Sequence, residues 1–313
     1  MPLSVFAPAS VGNFSVGFDL LGLAVSSPDR ILGDTVTIAA ADDNSLALNG
    51  AYANILPPDI NDNLVWKALE IFNQRLSQKA GVELIVPVNL VLEKNLPICS
   101  GLGSSGTSVV ASCMALNAFY NTPFTDQEIL KIMGACEAGA SGSVHYDNIA
   151  PTYLGGLRLC HAGSSQTNLL PWPEDWSLVL AYSGVDVPTA QARQALPQAY
   201  PRSAVISQMQ YLAHFVDALH RNDLNRAAAN IQDLIAEPYR ARFLPEFDTV
   251  TQGLRNQFKV LASGISGSGP TIFALVDKQH DVDGIVDYLA SEYCQEGGFV
   301  VRANCDRHGA RLV

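Results

Sequence analysis

The residues with the clearest chemical capacity are small ones. Pro97-Ile-Cys-Ser-Gly-Leu-Gly-Ser-Ser-Gly-Thr-Ser108 leads from a strand-like segment into an apolar, helix-like one. Gly101, Gly103 and Gly106 allow torsions and close approaches that a Cβ would block, and successive amides at a helix start form a pocket for an anion such as a nucleotide phosphate. The loop is not a Walker A motif: that pattern needs a Lys, and no residue from Asn95 to Thr125 is charged. Backbone dipoles, hydroxyls and a recruited metal would have to supply the electrostatics. The same segment reads equally as a tight turn capping a buried helix.

Two further small-residue segments lie towards the ends of the chain. Ala262-Ser-Gly-Ile-Ser-Gly-Ser-Gly-Pro-Thr271 sits between strand-like runs and by itself reads as a hairpin. Near the start, Pro8-Ala-Ser-Val-Gly-Asn-Phe-Ser-Val-Gly-Phe-Asp-Leu-Leu-Gly22 sets Asn13 and Asp19 among glycines. Together the three segments resemble, in order and spacing, the signature motifs of the GHMP superfamily of small-molecule kinases. Three more strings are similar to the bacterial homoserine kinase branch: His145-Tyr-Asp-Asn-Ile-Ala-Pro151 followed by Gly155-Gly156, Thr189-Ala-Gln-Ala-Arg193, and Ala236-Glu-Pro-Tyr-Arg240. The resemblance covers nearly the whole chain and is least diagnostic around Gly163–Trp172 and over the last few residues.

That resemblance implies an α+β, two-domain GHMP kinase fold. A ribosomal-protein-S5-like, ATP-binding domain would span 1–156 and a ferredoxin-like domain 157–313, with the site between them. It also implies transfer of the γ-phosphoryl group of Mg-ATP to L-homoserine, giving O-phospho-L-homoserine for threonine biosynthesis. ATP phosphates would lie along Pro97, Ile98, Cys99, Ser100, Gly101, Leu102, Gly103, Ser104, Ser105, Gly106 and Thr107. Ser105 and Glu137 match the family's Mg2+ ligands, and hard oxygen donors suit that ion. Homoserine is a zwitterion with a hydroxyl, so its pocket needs a cation, an anion and neutral polar groups. By resemblance Arg193 and Arg240 clamp the carboxylate, Asp19 takes the ammonium, Asn13 and Asn148 orient the hydroxyl, and Thr189 places a hydroxyl near the transferred phosphate. Taken singly, each has an ordinary reading as a turn former, loop residue or helix-end charge.

Mevalonate kinases have a Lys in the first motif and an Asp base in the fourth string, whereas here the first motif has no Lys and the string reads Asp147-Asn148. The resemblance therefore implies direct attack by the hydroxyl, its proton passing to phosphate, in keeping with a loose transition state. Alternatives are another small acceptor such as mevalonate, or a non-catalytic ligand sensor on the same scaffold. The family also implies a homodimer, and threonine is expected to compete in the homoserine pocket because it shares the amino-acid moiety and a hydroxyl. Cys99 and His145 read as structural residues, and Trp172 and Trp176 as partly buried in a surface loop.

The elements that must hold these residues follow from periodicity. Strands are expected near Leu3–Ala7, Thr35–Ala40, Glu83–Glu93 and Tyr153–Cys160, and helices over Asn63–Gln78 with Asp62 as N-cap, from the glycine loop to Tyr120, and after a Thr125/Glu128 capping box. The second half alternates strands at Ser177–Tyr182, Lys259–Ser263, Thr271–Val276 and Phe299–Ala303 with helices at Thr189–Leu196, Ala204–Arg221, Leu224–Ala236 and Asp281–Tyr293. The 313 residues carry 19 Lys and Arg against 30 Asp and Glu, a net −11 that excludes a general nucleic-acid binder. Hydrophobic residues make 48% and charged ones 16%, ample for buried cores. No membrane span is expected, since Val109–Tyr120 is shorter than the ~20 apolar residues a bilayer requires. The six cysteines show no metal spacing and the start shows no signal-peptide pattern, which points to the cytoplasm.

Overall fold

Alternating apolar residues give the N-terminal segment its strand, β1 (Leu3–Gly12), which pairs antiparallel with both β2 (Leu21–Ser26) and β3 (Gly33–Ala40). The computed structural model describes residues 2–141 and 144–313. β4 (Ser45–Asn49), α1 (Leu64–Ala80) and β5 (Val88–Glu93) follow, with β4 parallel to β5 and β5 antiparallel to β3. Then come α2 (Ser104–Phe119), α3 (Asp126–Ser141) and the short α4 (Ile149–Leu154). Phe72 of α1, Val109 and Leu116 of α2 and Met133 of α3 pack with Val36, Ile38 and Leu90 of the sheet in one core.

β6 (Leu157–Cys160) and β7 (Thr167–Leu170) form a hairpin attached to β2. The chain continues through β8 (Ser177–Tyr182), α5 (Thr189–Gln194), α6 (Arg202–His220), α7 (Leu224–Ala229), α8 (Glu237–Arg240) and α9 (Phe247–Asn256). It ends with β9 (Ala262–Ile265), β10 (Ile272–Val276), α10 (Val282–Glu292), β11 (Phe299–Cys305) and β12 (Arg311–Leu312). The sheet runs β4-β5-β3-β1-β2-β11-β8-β10-β9, and β12 returns to pair with β1. A second core crosses between the halves: Phe14 stacks on Phe273 at 5.0 Å, with Leu21, Leu23 and Phe215 around them. Among the described residues no helix is long and apolar enough to cross a membrane.

Several boundaries differ from those the periodicity predicts. Asn63, not Asp62, caps α1, its side chain accepting from Val65 N at 2.9 Å. The expected strand from Glu83 begins only at Val88, because Val82–Leu84 forms a 3-10 turn after Gly81. The helix expected to reach Ala236 stops at Ala229, and Asp233 instead accepts from the amides of Ile235, Ala236 and Glu237 at the start of α8. Trp176 is buried rather than partly so. The Thr125/Glu128 box forms as expected, each residue's side chain accepting from the other's amide.

Candidate active site

α2 begins without a side-chain cap. Its N-cap is Gly103 at φ 67°, so its first-turn amides, which have no intrahelical acceptors, are left for another partner. The three small-residue segments meet here. Ser10 N donates to Leu102 O at 3.1 Å, Thr271 N to Ser100 O at 3.0 Å, and Gly267 N to Gly12 O at 2.9 Å, while Ser266 Oγ donates to Gly101 O at 2.7 Å. The carbonyls of Ser100, Gly101 and Leu102 are thus taken by the loop's neighbours, while the first-turn amides of α2 have no intrahelical acceptor, which is the polarity an anion requires. A Cβ on Gly101 would sit 2.4 Å from Ser266 O, so only glycine permits the approach. The β9–β10 hairpin is therefore a hairpin as predicted, with its tip pressed on the loop.

A cavity of about 120 Å³ lies over this loop, lined by Cys99, Ser100, Gly101, Gly103, Ser104, Ser105 and Gly106 together with Glu137, Asn148, Thr189, Gly267 and Ser268. Pro97, Leu102 and Thr107 are buried beneath it and shape the turn. Beside it a larger pocket of about 530 Å³, with Leu56, Pro57, Leu64 and Ile98 in its walls, has the size and apolar lining for a nucleoside. Ser105 Oγ donates to Glu137 Oε2 at 3.1 Å, and burial pushes the Glu137 carboxyl above its ordinary range. Two hard oxygen donors side by side, one a carboxylate short of solvation, fit a Mg2+ ion that also binds phosphate oxygens. Cys99 is half-buried, and burial with Asp186 nearby pushes its thiol up, which fits a packing role.

A smaller pocket of about 60 Å³ shares Glu137, Asn148, Thr189, Gly267 and Ser268 with the cavity over the loop and adds Asn13, Asp19, His145, Asp147, Arg193 and Arg240. Asn13, Phe14 and Ser15 are all left-handed, at φ 65°, 43° and 53°, and Asp19 is too, at 59°. Asn13 stitches this turn: Oδ1 accepts from Asp19 N at 2.9 Å and Nδ2 donates to Gly267 O at 3.0 Å. The Asp19 carboxylate takes a two-pronged grip from Arg193, at 3.0 and 3.1 Å. His145 Nδ1 is 3.5 Å from Asp19 Oδ1, and burial pushes its pKa down. Arg240 is buried, donates to Gly267 O at 2.9 Å and to Ala192 O at 3.3 Å, and lies 5.2 Å over the Phe18 ring.

Asn148 Oδ1 accepts from Ser10 Oγ at 2.9 Å and its Nδ2 donates to Asp147 Oδ2 at 3.1 Å. Burial, reinforced by Asp19, pushes the Asp147 carboxyl up to about 7. Thr189 Oγ1 lies 3.5 Å from Ser268 Oγ. All the site residues singled out from the sequence are thus in or directly beneath three adjoining cavities. Sequence reasoning missed Ser10, Ser268 and the buried Lys94–Asp34 pair under the loop. Ser10 and Ser268 lie inside motifs already read, whereas Lys94 is visible only as the last charge before the uncharged stretch.

Residues 63–156 match the model for the GHMP kinases N terminal domain, and residues 215–295 that for the GHMP kinases C terminal. Among solved structures, a homoserine kinase from Cytophaga hutchinsonii ATCC 33406 is 30% identical with a TM-score of 0.86, the match covering 100% of this chain and 97% of that one. A protein assigned as a homoserine kinase from Listeria monocytogenes is 22% identical with a TM-score of 0.72, over 99% of both chains. The mevalonate kinase of Methanococcus jannaschii shares the fold at 14% identity and a TM-score of 0.70, over 97% of this chain and 98% of that one.

Proposed function

Since the chain belongs to the GHMP kinase family, we propose that it transfers the γ-phosphoryl group of ATP to the hydroxyl of L-homoserine, giving O-phospho-L-homoserine for threonine biosynthesis. The observation that carries the choice of acceptor is the Asp19–Arg193 pair beside Arg240, in a small pocket continuous with the phosphate cavity. A zwitterion can exchange with that pair, its carboxylate going to the two guanidinium groups and its ammonium to Asp19. Mevalonate has no cation for Asp19, and galactose has no charge at all. The 30% identity to a homoserine kinase over the whole chain supports the same choice.

The catalytic work of such a site is positioning and charge neutralisation. The first-turn amides of α2 and the loop from Pro97 to Thr107 hold the phosphates. Ser105 and Glu137 would hold Mg2+, which when bound neutralises charge on the phosphate oxygens. Arg240 is fixed by two backbone carbonyls before substrate arrives, so little ordering is lost when the carboxylate binds. Asn13 and Asn148 orient the acceptor hydroxyl, and Thr189 places a hydroxyl beside the transferred group. The hydroxyl attacks directly and its proton passes to a phosphate oxygen. A second reading, favoured by the Asp147 carboxyl standing near 7 in the wall of this pocket, gives the proton to Asp147. In this scheme residues 1–156 supply the nucleotide site and 157–313 supply Thr189, Arg193, Arg240 and the capping hairpin. The six unpaired cysteines suit the cytoplasm.

ADP release measured in a coupled assay with homoserine, mevalonate and galactose tests the proposal. Homoserine is expected to be strongly preferred. A preference for mevalonate overturns the acceptor, and no acceptor-dependent release overturns the kinase reading in favour of a ligand sensor.

A further inference from the structure

Beneath the phosphate loop lies an ion pair that the reaction scheme above does not use. Lys94 and Asp34 are 1% and 0% exposed. The Lys94 ammonium places all three donors: on Asp34 Oδ2 at 2.6 Å, on the carbonyl of Ser104 at 2.9 Å and on Ser108 Oγ at 2.9 Å. Asp34 is equally saturated, since Oδ2 also accepts from Ser108 Oγ at 2.7 Å and Oδ1 accepts from the amides of Asn95 and Leu96 at 2.9 and 3.3 Å. The pair therefore ties the end of β5 to the first turn of α2, the two backbone segments that flank the loop.

We propose that Lys94 is a positioning residue for the nucleotide: anchored by Asp34, it locks the first turn of α2 and turns the positive end of a buried dipole towards the nucleotide pocket. Direction is what distinguishes this from packing. Lys94 lines the nucleoside pocket with Ser104, Ser105 and Ser108 and Asp34 does not, while neither residue lines the cavity over the loop. The pair is neutral in sum, but its cation is the end that lines the nucleoside pocket. A buried ion pair is a poor source of stability, because desolvation of both charges offsets their attraction. A loop with no charge from Asn95 to Thr125 gives that expense a function, as Lys94 is the residue immediately before it.

The inference rests on ATP binding at this loop, and the test separates the two. Binding of Mg-ADP and thermal stability are measured for wild type, Lys94→Met and the double variant Asp34→Asn/Lys94→Met. Lys94→Met strands a buried carboxylate and is expected to lose both stability and affinity. The double variant removes both charges, keeps an acceptor for the Asn95 amide, and is expected to regain most of the stability while binding Mg-ADP about tenfold more weakly than wild type. Its KM for homoserine should move less than twofold. Recovery of wild-type Mg-ADP affinity along with stability would show a merely structural pair and overturn the proposal. Ser108→Ala, which removes one ligand of the ammonium without a charge, serves if the double variant does not fold: about twofold to threefold weaker Mg-ADP binding is expected, and unchanged binding overturns the proposal. Failure of the wild type to bind Mg-ADP overturns the nucleotide site itself.

Discussion

Burial holds the Asp147 carboxyl near neutrality, and that single fact has consequences for both stability and turnover. An unfolded Asp ionises near ~3.9, so between that value and about 7 the folded chain keeps a proton that the unfolded chain has lost. Stability must then fall as pH rises through this window and level off above it. Glu237, pushed up to about 7 chiefly by burial, adds to the same slope. Denaturant unfolding of the ligand-free protein at pH 5 and pH 8 should show a loss that Asp147→Asn reduces by on the order of 2 kcal/mol; an equal loss in wild type and variant would place the carboxyl at an ordinary pKa. Direct attack by the substrate hydroxyl predicts that Asp147→Asn keeps kcat within about tenfold, whereas a loss of ~100-fold or more would make Asp147 the base. Asp19→Asn, by contrast, should raise the KM for homoserine tenfold or more, as loss of a charge-assisted partner does, and steady-state kinetics with an unchanged KM would remove Asp19 from ammonium binding. Residue types at these positions were legible in the motifs. The state of Asp147 was not, because it arises from packing: its carbonyl occupies the space where a Gly22 Cβ would be, which sinks the Asp147-Asn148 turn into the fold.

Elements matter here through their ends. The start of α2, the tip of the β9–β10 hairpin and the end of β1 are joined by backbone bonds at Leu102, Ser100 and Gly12, so the phosphate loop is rigid only while all three are in place. Gly101 is the tightest point, at φ 82°, where a Cβ would stand 2.4 Å from Ser266 O and 2.9 Å from Gly269 O. Gly163 is the natural control, since it also has positive φ, at 70°, but a Cβ there meets nothing within 4 Å. Gly163→Ala should cost about 1 kcal/mol of backbone strain, while Gly101→Ala should cost at least about 1–2 kcal/mol more and abolish measurable Mg-ADP binding. Equal losses in thermal unfolding would mean the loop tolerates a side chain. Elements with strong local signals were readable from sequence: α2 from its uncharged apolar run, α3 from its capping box, β10 from its continuous apolar run. β2, β4, β7 and α9 were not. β4 alternates exposed and half-buried residues and is held by its parallel partner β5, and β7 depends on β6, so their stabilising contacts lie outside their own sequence.

At the scale of the whole molecule, the pocket proposed for the acceptor depends on the two halves of the chain sharing a sheet and a core. Asn13, Asp19 and Asn148 come from the first 156 residues, whereas Thr189, Arg193, Arg240 and Ser268 come from the rest. β2 is hydrogen-bonded to β6 and β11, and β1 to β12, so strands of the first half lose partners on both sides if the chain is cut at 156. Phe14, Leu21 and Leu23, each fully buried, would lose Phe215 and Phe273. Large buried apolar surfaces exposed in this way are worth roughly 1.5–3 kcal/mol per side chain, comparable with the whole stability of a domain after only a few of them. The fragment 1–156, although it carries the complete phosphate loop, is therefore expected to lack a cooperative thermal transition and to bind no Mg-ADP. Mixing it with 157–313 should restore helical circular dichroism and nucleotide binding together. An isolated 1–156 that folds and binds Mg-ADP would show that the loop needs neither the hairpin tip nor the shared core, and would detach the nucleotide site from the architecture that gives the acceptor pocket its two arginines.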